Sequence, residues 1–273
     1  MSGKSKRGIV TMKTQSLSKI TITGILIFTF ALAGCQPKDG ETAEPQAGES
    51  PTGESVLPPQ PGEPMAVSSE LVLDPAVTED ADSLLVSGYL YEGLVRLDEA
   101  GNVQPGIAES WIVSDDQLDY IFEIRPNARF SDGSPITTDV IVDNFNRWFD
   151  PAHPLHGGGN YPTWQRLFLA FNGERDAENR AISQVDGIQK VDVNTVIIHL
   201  NRPEPNLLTY LAEPAFAILN PAALAGGSYG STAATVTSSG PYVISAWTDT
   251  GMTLSPNPNY WNPVEGDLNF VWK

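Results

Sequence analysis

The stretch "RFSDGSPITTDV", residues 129–140, separates a strand pattern from a helix pattern. In Leu118–Ile124, which precedes it, apolar and polar residues alternate, as in a strand with one buried face. From Thr138 onward, apolar residues recur at helical spacing, and further strand and helix patterns follow. We therefore predict a mixed α/β fold. The apolar stripe of the predicted helix consists of Ile141, Phe145, Trp148 and Phe149.

Two carboxylates in this stretch, Asp132 and Asp139, stand near hydroxyl residues, a composition that suits acid–base chemistry. A structural role accounts for both of them. Asp132 followed by Gly133 is a turn signal, and Thr137 or Thr138 can cap the helix. Asp139 then falls in the first helical turn, where the helix dipole stabilises a carboxylate by about 0.3–1 kcal/mol. We predict a turn and a helix cap, with no active site.

The charge balance of the 273-residue chain argues against nucleic acid as a partner. Acids outnumber bases by 33 to 16, and five bases lie in the first 19 residues, where there are no acids. The remainder carries 11 bases against 33 acids, a net charge of −22. A field of this sign repels phosphate backbones, so we expect no nucleic-acid binding.

The N-terminal sequence predicts export and lipid attachment. A basic region precedes 14 mostly apolar residues, 20–33, which are too few to span a bilayer comfortably and suit a signal peptide, residues 1–34. The following Leu32-Ala33-Gly34-Cys35 resembles the bacterial lipoprotein box, which implies lipid on the sulfur of Cys35. An ordinary secretory signal or a short anchor helix is the alternative. Residues 35–64 are rich in Pro, Gly, Glu and Ser, and predict a disordered, lipid-anchored tether.

Several short motifs occur in a characteristic order along the folded body. Together they resemble extracellular solute-binding protein family 5, the substrate-binding proteins of peptide and nickel ABC importers. The motifs are Leu73-Asp74-Pro75, Leu90–Val95, Pro105–Trp111, Ser114-Asp115-Asp116, Tyr120–Pro126, Phe130–Val140, Ser239–Tyr242 and Asn257–Trp261.

The resemblance implies a periplasmic-binding-protein-like type II fold in which two lobes close over a ligand. It implies a first lobe made of residues 65–83 and 185–273, with an inserted subdomain at 84–184. Family members are about twice as long as this folded body, so we expect a second lobe to follow Lys273 and the present chain to be truncated. A single lobe is expected to bind ligand weakly or not at all.

Two segments are candidates for contact with ligand. Ser69 and Glu70 lie on the segment that lines the cleft in the family, and Glu70 either meets a ligand amine or is a solvated acid at a strand edge. The turn formed by Ser238, Ser239 and Gly240 faces the cleft in relatives, where its backbone can bond a peptide.

Aromatic residues after the Gly157–Gly159 loop form the third candidate. Tyr161 and Trp164 either wall a ligand pocket or, as an equally good alternative, Trp164 packs in the core with Leu167 and Phe168.

Catalytic and metal sites are poorly supported. His153 and His156 form an H-x-x-H pair in a loop and His199 lies on a predicted strand, too few ligands to predict a metal site. The chain lacks H-E-x-x-H and P-loop motifs. We expect no enzyme activity, no metal and no cofactor.

The resemblance and the N-terminal pattern together predict a lipoprotein outside the cytoplasm, held at the membrane by its lipid. It is expected to capture oligopeptides, or another small solute, and deliver them to the permease and ATPase subunits of an ABC importer. The alternative is a tethered sensor or surface-docking lipoprotein with no role in transport.

Overall fold

The computed structural model describes residues 63–273. The predicted signal peptide, the predicted lipid site at Cys35 and all of the predicted tether except its last two residues lie outside the described residues.

The described part contains ten strands and five α-helices. The strands are β1 Met65–Val67, β2 Val95–Leu97, β3 Val103–Pro105, β4 Ala108–Val113, β5 Asp119–Ile124, β6 Val185–Lys190, β7 Thr195–Leu200, β8 Tyr242–Thr248, β9 Gly251–Pro256 and β10 Leu268–Trp272. The helices are α1 Ala81–Leu90, α2 Thr138–Phe149, α3 Pro162–Phe168, α4 Leu207–Leu211 and α5 Pro221–Ala225. Short 3-10 turns occupy Pro75–Val77, Pro214–Phe216 and Ala233–Thr235. The predicted mixed α/β fold is confirmed.

The first sheet has the strand order β1-β10-β9-β8, in which β1 runs parallel to β10 and the other pairs are antiparallel. Side chains alternate across it, so Met252 and Leu254 of β9 and Phe270 of β10 face one core. Helix α1 closes this core with Val86 and Leu90.

The second sheet has the order β4-β5-β7-β6 and is antiparallel throughout. Tyr120, Phe122 and Ile124 of β5 point inward, as the alternation in this segment predicts. The stripe of α2 is buried in the same core, so this periodicity prediction is also correct. Strands β2 and β3 form a separate two-stranded hairpin.

The turn and helix cap predicted for residues 129–140 are present. Asp132 accepts a hydrogen bond from the Ser134 amide at 2.8 Å, and Gly133 has a positive φ of 84°. Thr137 is the N-cap of α2, and its side chain accepts from the Val140 amide. Asp139, in the first turn, pairs with Lys190 of β6 at 2.7 Å.

The inserted subdomain at residues 84–184 stays a prediction, and two features of the structure bear on its limits. The boundary between residues 83 and 84 cuts through α1, which packs on the first sheet. The boundary at 185 assigns β6 and β7 to the first lobe, whereas β7 hydrogen-bonds to β5 in the second sheet. Which strands belong to one sheet is decided by pairing between residues far apart in the sequence. The alternation of apolar and polar residues within a strand does not identify the strand that pairs with it. The core of the second sheet also includes Ala76, which precedes α1, and Leu207, Leu211, Phe216 and Ile218, which follow β7.

Within residues 63–273, no helix combines the length and the apolar character needed to cross a membrane.

Candidate functional site

A cavity of about 610 Å³ opens where the chain leaves β1. One wall is the segment after the strand, a second is the loop between α2 and α3, and a third is the end of α5 with the loop that follows. The lining residues are Leu71, Val72, Leu73, Asp74, Val77, Arg147, Pro154, Leu155, Gly157, Leu224, Ala225, Gly227, Tyr229 and Gly230.

An ion pair forms the polar part of the lining. Arg147, on α2, donates from Nη1 and Nη2 to the two carboxylate oxygens of Asp74, at 2.8 and 2.9 Å. Asp74 also accepts from the Ala76 amide, which caps the 3-10 turn. Burial by itself lowers the pKa of Arg147, but attraction and hydrogen bonding to Asp74, with smaller contributions from Tyr161, together outweigh it and the net shift is upward. The guanidinium therefore stays charged.

A pair of tyrosines supports another side of the cavity. The Tyr229 hydroxyl donates to the Tyr91 hydroxyl at 2.8 Å. Burial is the main cause that raises the pKa of both phenols, so both hydroxyls are neutral at physiological pH. Tyr229 thus lines the cavity while its hydroxyl is fixed by Tyr91.

The loop between α2 and α3, which carries Leu155, is held in place by hydrogen bonds from buried side chains. The Tyr161 hydroxyl lies 3.4 Å from the Leu155 carbonyl and 3.3 Å from the His156 carbonyl, and donates toward both. The His156 ring bonds through Nδ1 to the Arg147 carbonyl at 2.8 Å. These contacts hold the loop against α2.

Ser69 and Glu70 are exposed residues just before the cavity rim at Leu71 and Val72. The Glu70 amide donates to the Ser68 hydroxyl at 3.1 Å. Their role in ligand binding stays a prediction.

The predicted Ser238-Ser239-Gly240 turn is buried, and most of its polar groups have partners within the chain. Ser238 exchanges hydrogen bonds with Ser131 through both its amide and its carbonyl. The Ser239 hydroxyl accepts from the Glu92 amide, and the Gly240 amide donates to the Leu90 carbonyl. This turn connects the end of α1 and the following Glu92 to the turn at Ser131. Its bonded backbone groups are not free to bond a peptide.

Trp164 lies in the hydrophobic core with its indole N–H bonded to the Ala170 carbonyl at 3.0 Å. It packs edge-on to Phe145 and beside Phe168. Tyr161 is also buried, behind the cavity wall. The core alternative is therefore correct for Trp164, and Tyr161 supports the pocket without lining it.

The three histidines are separate from one another in their contacts. His153 lies 3.7 Å from Asp143, His156 bonds the backbone of α2, and His199 bonds Asp119 at 2.6 Å across the second sheet. Among residues 63–273, no three His, Cys, Asp or Glu side chains are grouped closely enough to hold a metal ion.

A second polar cluster joins two motifs that lie far apart in the sequence. The buried Glu92 carboxylate accepts from the Tyr260 hydroxyl and from the Trp261 indole, both at 2.6 Å. Arg125 stacks over the Trp261 ring at 3.7 Å. Burial raises the pKa of Glu92, and the two hydrogen bonds oppose that rise. This cluster links Glu92 to the distant segment at Tyr260 and Trp261, and its hydrogen bonds are separate from the one between Tyr229 and Tyr91.

Reasoning from the sequence missed Arg147 and Tyr229. A signal for Arg147 exists, because it lies between the stripe residues Phe145 and Trp148 in α2, where a lone basic residue needs a buried partner. Tyr229 lies in a Gly- and Ser-rich loop that carries no periodic pattern.

The family model for "Bacterial extracellular solute-binding proteins, family 5 Middle" matches residues 102–269. The chain is 30% identical over 213 residues to the glutathione-binding protein GsiB of Escherichia coli, covering 77% of this chain and 37% of that protein. It is 28% identical over 203 residues to the periplasmic oligopeptide-binding protein OppA of Salmonella typhimurium, covering 73% and 36%. The chain thus spans little more than a third of the length of these relatives.

Solved structures share the fold. HbpA2 from Haemophilus parasuis superposes with a TM-score of 0.63 at 28% identity, over 77% of this chain and 41% of that one. The pheromone receptor PrgZ, solved with its mode of peptide binding, superposes with a TM-score of 0.62 at 27% identity, over 77% and 42%.

Proposed function

Because this chain belongs to the bacterial extracellular solute-binding proteins of family 5, we propose that it captures oligopeptides outside the cytoplasm for an ABC importer. The family binds solutes and does not transform them, so the proposed activity is binding. Delivery to a permease driven by an ATPase is part of the proposal.

The cavity beside Ser69 and Glu70 is the observation that carries this proposal. It opens next to the exposed bend at Ser69 and Glu70, and its lining combines mostly apolar residues with one ion pair whose charges cancel. Such a concave site, with mostly apolar lining residues and a few fixed polar groups, suits a small organic ligand. The relatives named for glutathione and oligopeptides favour a ligand with peptide bonds.

We propose that residues 63–273 supply one wall of the binding site and that a second lobe supplies the other. Solute is then trapped when the lobes close, and specificity comes from the higher affinity of the closed state. A single wall forms only part of the contacts, which is why weak binding is expected of this chain alone.

The membrane attachment proposed for Cys35 has its own test. Metabolic labelling with an alkyne fatty acid should mark the chain and should fail for Cys35→Ser. Labelling that persists in this variant would exclude lipid on the sulfur of Cys35.

Ligand-observed NMR with millimolar tripeptides tests the proposed ligand class. Tripeptide signals should show saturation transfer from the purified chain, whereas sucrose at the same concentration should show none. Saturation transfer to sucrose without transfer to any tripeptide would overturn the peptide proposal. Calorimetry that gives micromolar or tighter peptide binding would overturn the expectation that this chain binds weakly.

A sensor or docking lipoprotein is the second candidate function, and the similarity to the pheromone receptor PrgZ favours it. The neighbouring genes discriminate. Permease and ATPase genes support import, whereas a histidine kinase or surface-protein locus supports the second function.

A further inference from the structure

We propose that the cavity beside the Asp74–Arg147 pair receives one bulky, uncharged side chain of the bound peptide. This inference rests on the proposed function and goes further, because it names the chemical class of residue that the site selects.

Most residues that line the cavity have apolar side chains. Twelve of its fourteen lining residues are uncharged, and most of these are aliphatic or glycine. Burial of apolar surface against such walls is favourable by roughly 25 cal/mol per Å². The aliphatic and aromatic lining residues are Leu71, Val72, Leu73, Val77, Pro154, Leu155, Leu224, Ala225 and Tyr229.

The two charged lining residues are engaged with each other. Asp74 and Arg147 form a two-point ion pair, so the cavity carries no net charge. The remaining Nε of Arg147 is fully buried and finds no acceptor among the described residues. A ligand carboxylate would have to displace Asp74, and a ligand ammonium would have to displace Arg147. A charged side chain of the peptide would also lose its hydration on entering the cavity. Peptide side chains of either charge are therefore disfavoured.

The dimensions suit one large side chain with adjoining backbone. A volume of about 610 Å³ is within the range of sites for small ligands and exceeds what one methyl-sized group fills. A small residue such as alanine would leave most of the apolar wall in contact with water. The cavity should therefore prefer leucine or phenylalanine.

The cavity is held in shape before any ligand binds. The Tyr229 hydroxyl is bonded to Tyr91, and the Leu155 carbonyl is within reach of the Tyr161 hydroxyl. Gly230 has a φ of 74°, and a β-carbon on it would lie 3.1 Å from Leu73 Cβ. A preformed pocket loses less entropy on binding, which strengthens its selectivity.

The test compares the tripeptides Ala-Leu-Ala, Ala-Phe-Ala, Ala-Ala-Ala, Ala-Asp-Ala and Ala-Lys-Ala by ligand-observed NMR titration of the purified chain. We expect the Leu and Phe peptides to bind about tenfold more tightly than the other three. Ala225→Trp, which fills the cavity, should abolish that preference. Ala222→Trp, on the same helix but outside the cavity, should leave it intact.

A second matched pair guards against a folding defect in the tryptophan variants. Val72 at the rim and Val271 on the first sheet have nearly equal exposure, 43% and 41%. Val72→Asp should reduce binding of Ala-Leu-Ala about tenfold and relatively favour Ala-Lys-Ala, whereas Val271→Asp should change neither. Circular dichroism verifies the fold of each variant.

The outcomes separate the two proposals. If no tripeptide binds at all, the proposal that residues 63–273 supply one wall of a peptide site fails, and this inference fails with it. If tripeptides bind without a preference for Leu or Phe, or if neither Ala225→Trp nor Val72→Asp alters the preference, the cavity assignment is wrong while peptide capture stands.

Discussion

Removal of the Asp74 carboxylate tests the contribution of the ion pair to stability. Arg147 is 2% exposed, and Asp74→Asn would leave its guanidinium buried without a compensating charge. Removal of one partner from a buried ion pair destabilises a protein by ~3–5 kcal/mol. The Asp74 side chain is 19% exposed, so water relieves part of the loss. We therefore expect the low end of the range, about 3 kcal/mol.

The double variant Asp74→Asn with Arg147→Met separates the loss of the pair from the creation of an unpaired charge. Replacement of a buried ion pair by neutral groups of similar volume is often close to neutral in stability. Asn at position 74 retains a side-chain oxygen to cap the Ala76 amide. The double variant should therefore be about 2 kcal/mol more stable than Asp74→Asn alone.

Urea unfolding followed by tryptophan fluorescence measures both effects, because Trp148 and Trp164 lie in the adjoining core. With a slope of about 2 kcal/mol per molar urea, a loss of about 3 kcal/mol lowers the midpoint by about 1.5 M. A shift below about 0.5 M for Asp74→Asn, or a double variant less stable than the single one, would refute the reasoning.

Three further predictions concern the frame. Burial raises the pKa of Glu92, so the folded state binds its proton more tightly than the unfolded state, and this group's contribution to stability falls as pH rises above about 4.5. Urea midpoints between pH 4.5 and 7 should show this decline in the unaltered chain and a smaller one in Glu92→Gln. Gly240→Ala should lower the stability by roughly 1–3 kcal/mol, because the new β-carbon would lie 2.8 Å from the Tyr91 amide nitrogen; an unchanged midpoint would contradict the packing. Trp164→Ala should lower stability by about 3–5 kcal/mol, yet the folded fraction should retain its affinity for Ala-Leu-Ala, since Trp164 is in the core; selective loss of affinity would return Trp164 to the ligand site.

Local structure was predictable from the sequence wherever the causes are local. The turn at Asp132-Gly133 and the cap at Thr137 depend on hydrogen bonds between residues two or three positions apart. The buried face of β5 and the stripe of α2 follow from periodicity. In these cases the pattern contains the whole physical reason for the structure.

The partners of these elements were not predictable in the same way. The pairing of β7 with β5 joins residues about 75 positions apart, and Asp74 meets Arg147 across 73 positions. The Ser238-Ser239-Gly240 turn resembles a free loop in the sequence, but Ser131 and Leu90 occupy its backbone groups. Burial and pairing between residues so far apart in the sequence depend on the assembled fold. The sequence therefore could not show which of the predicted ligand-contact residues are buried and bonded within the chain.

The family motifs and the cavity lining are different sets of residues, and this difference bears on specificity. The motifs meet one another in space: Glu92 with Trp261, and Trp261 with Arg125. These contacts hold together segments that are far apart in the sequence, and we call the structure that they fix the frame.

Of the fourteen residues that line the cavity, only Leu73 and Asp74 belong to those motifs. The remaining twelve lie on the segment after β1, on α2, in the loop after it and around α5. Substitutions at Leu155 or Leu224 can therefore change the shape and polarity of the cavity without breaking any contact between motifs. A common frame with a separately variable lining allows related proteins to bind different solutes, and it explains why motifs that identify the family do not identify the ligand.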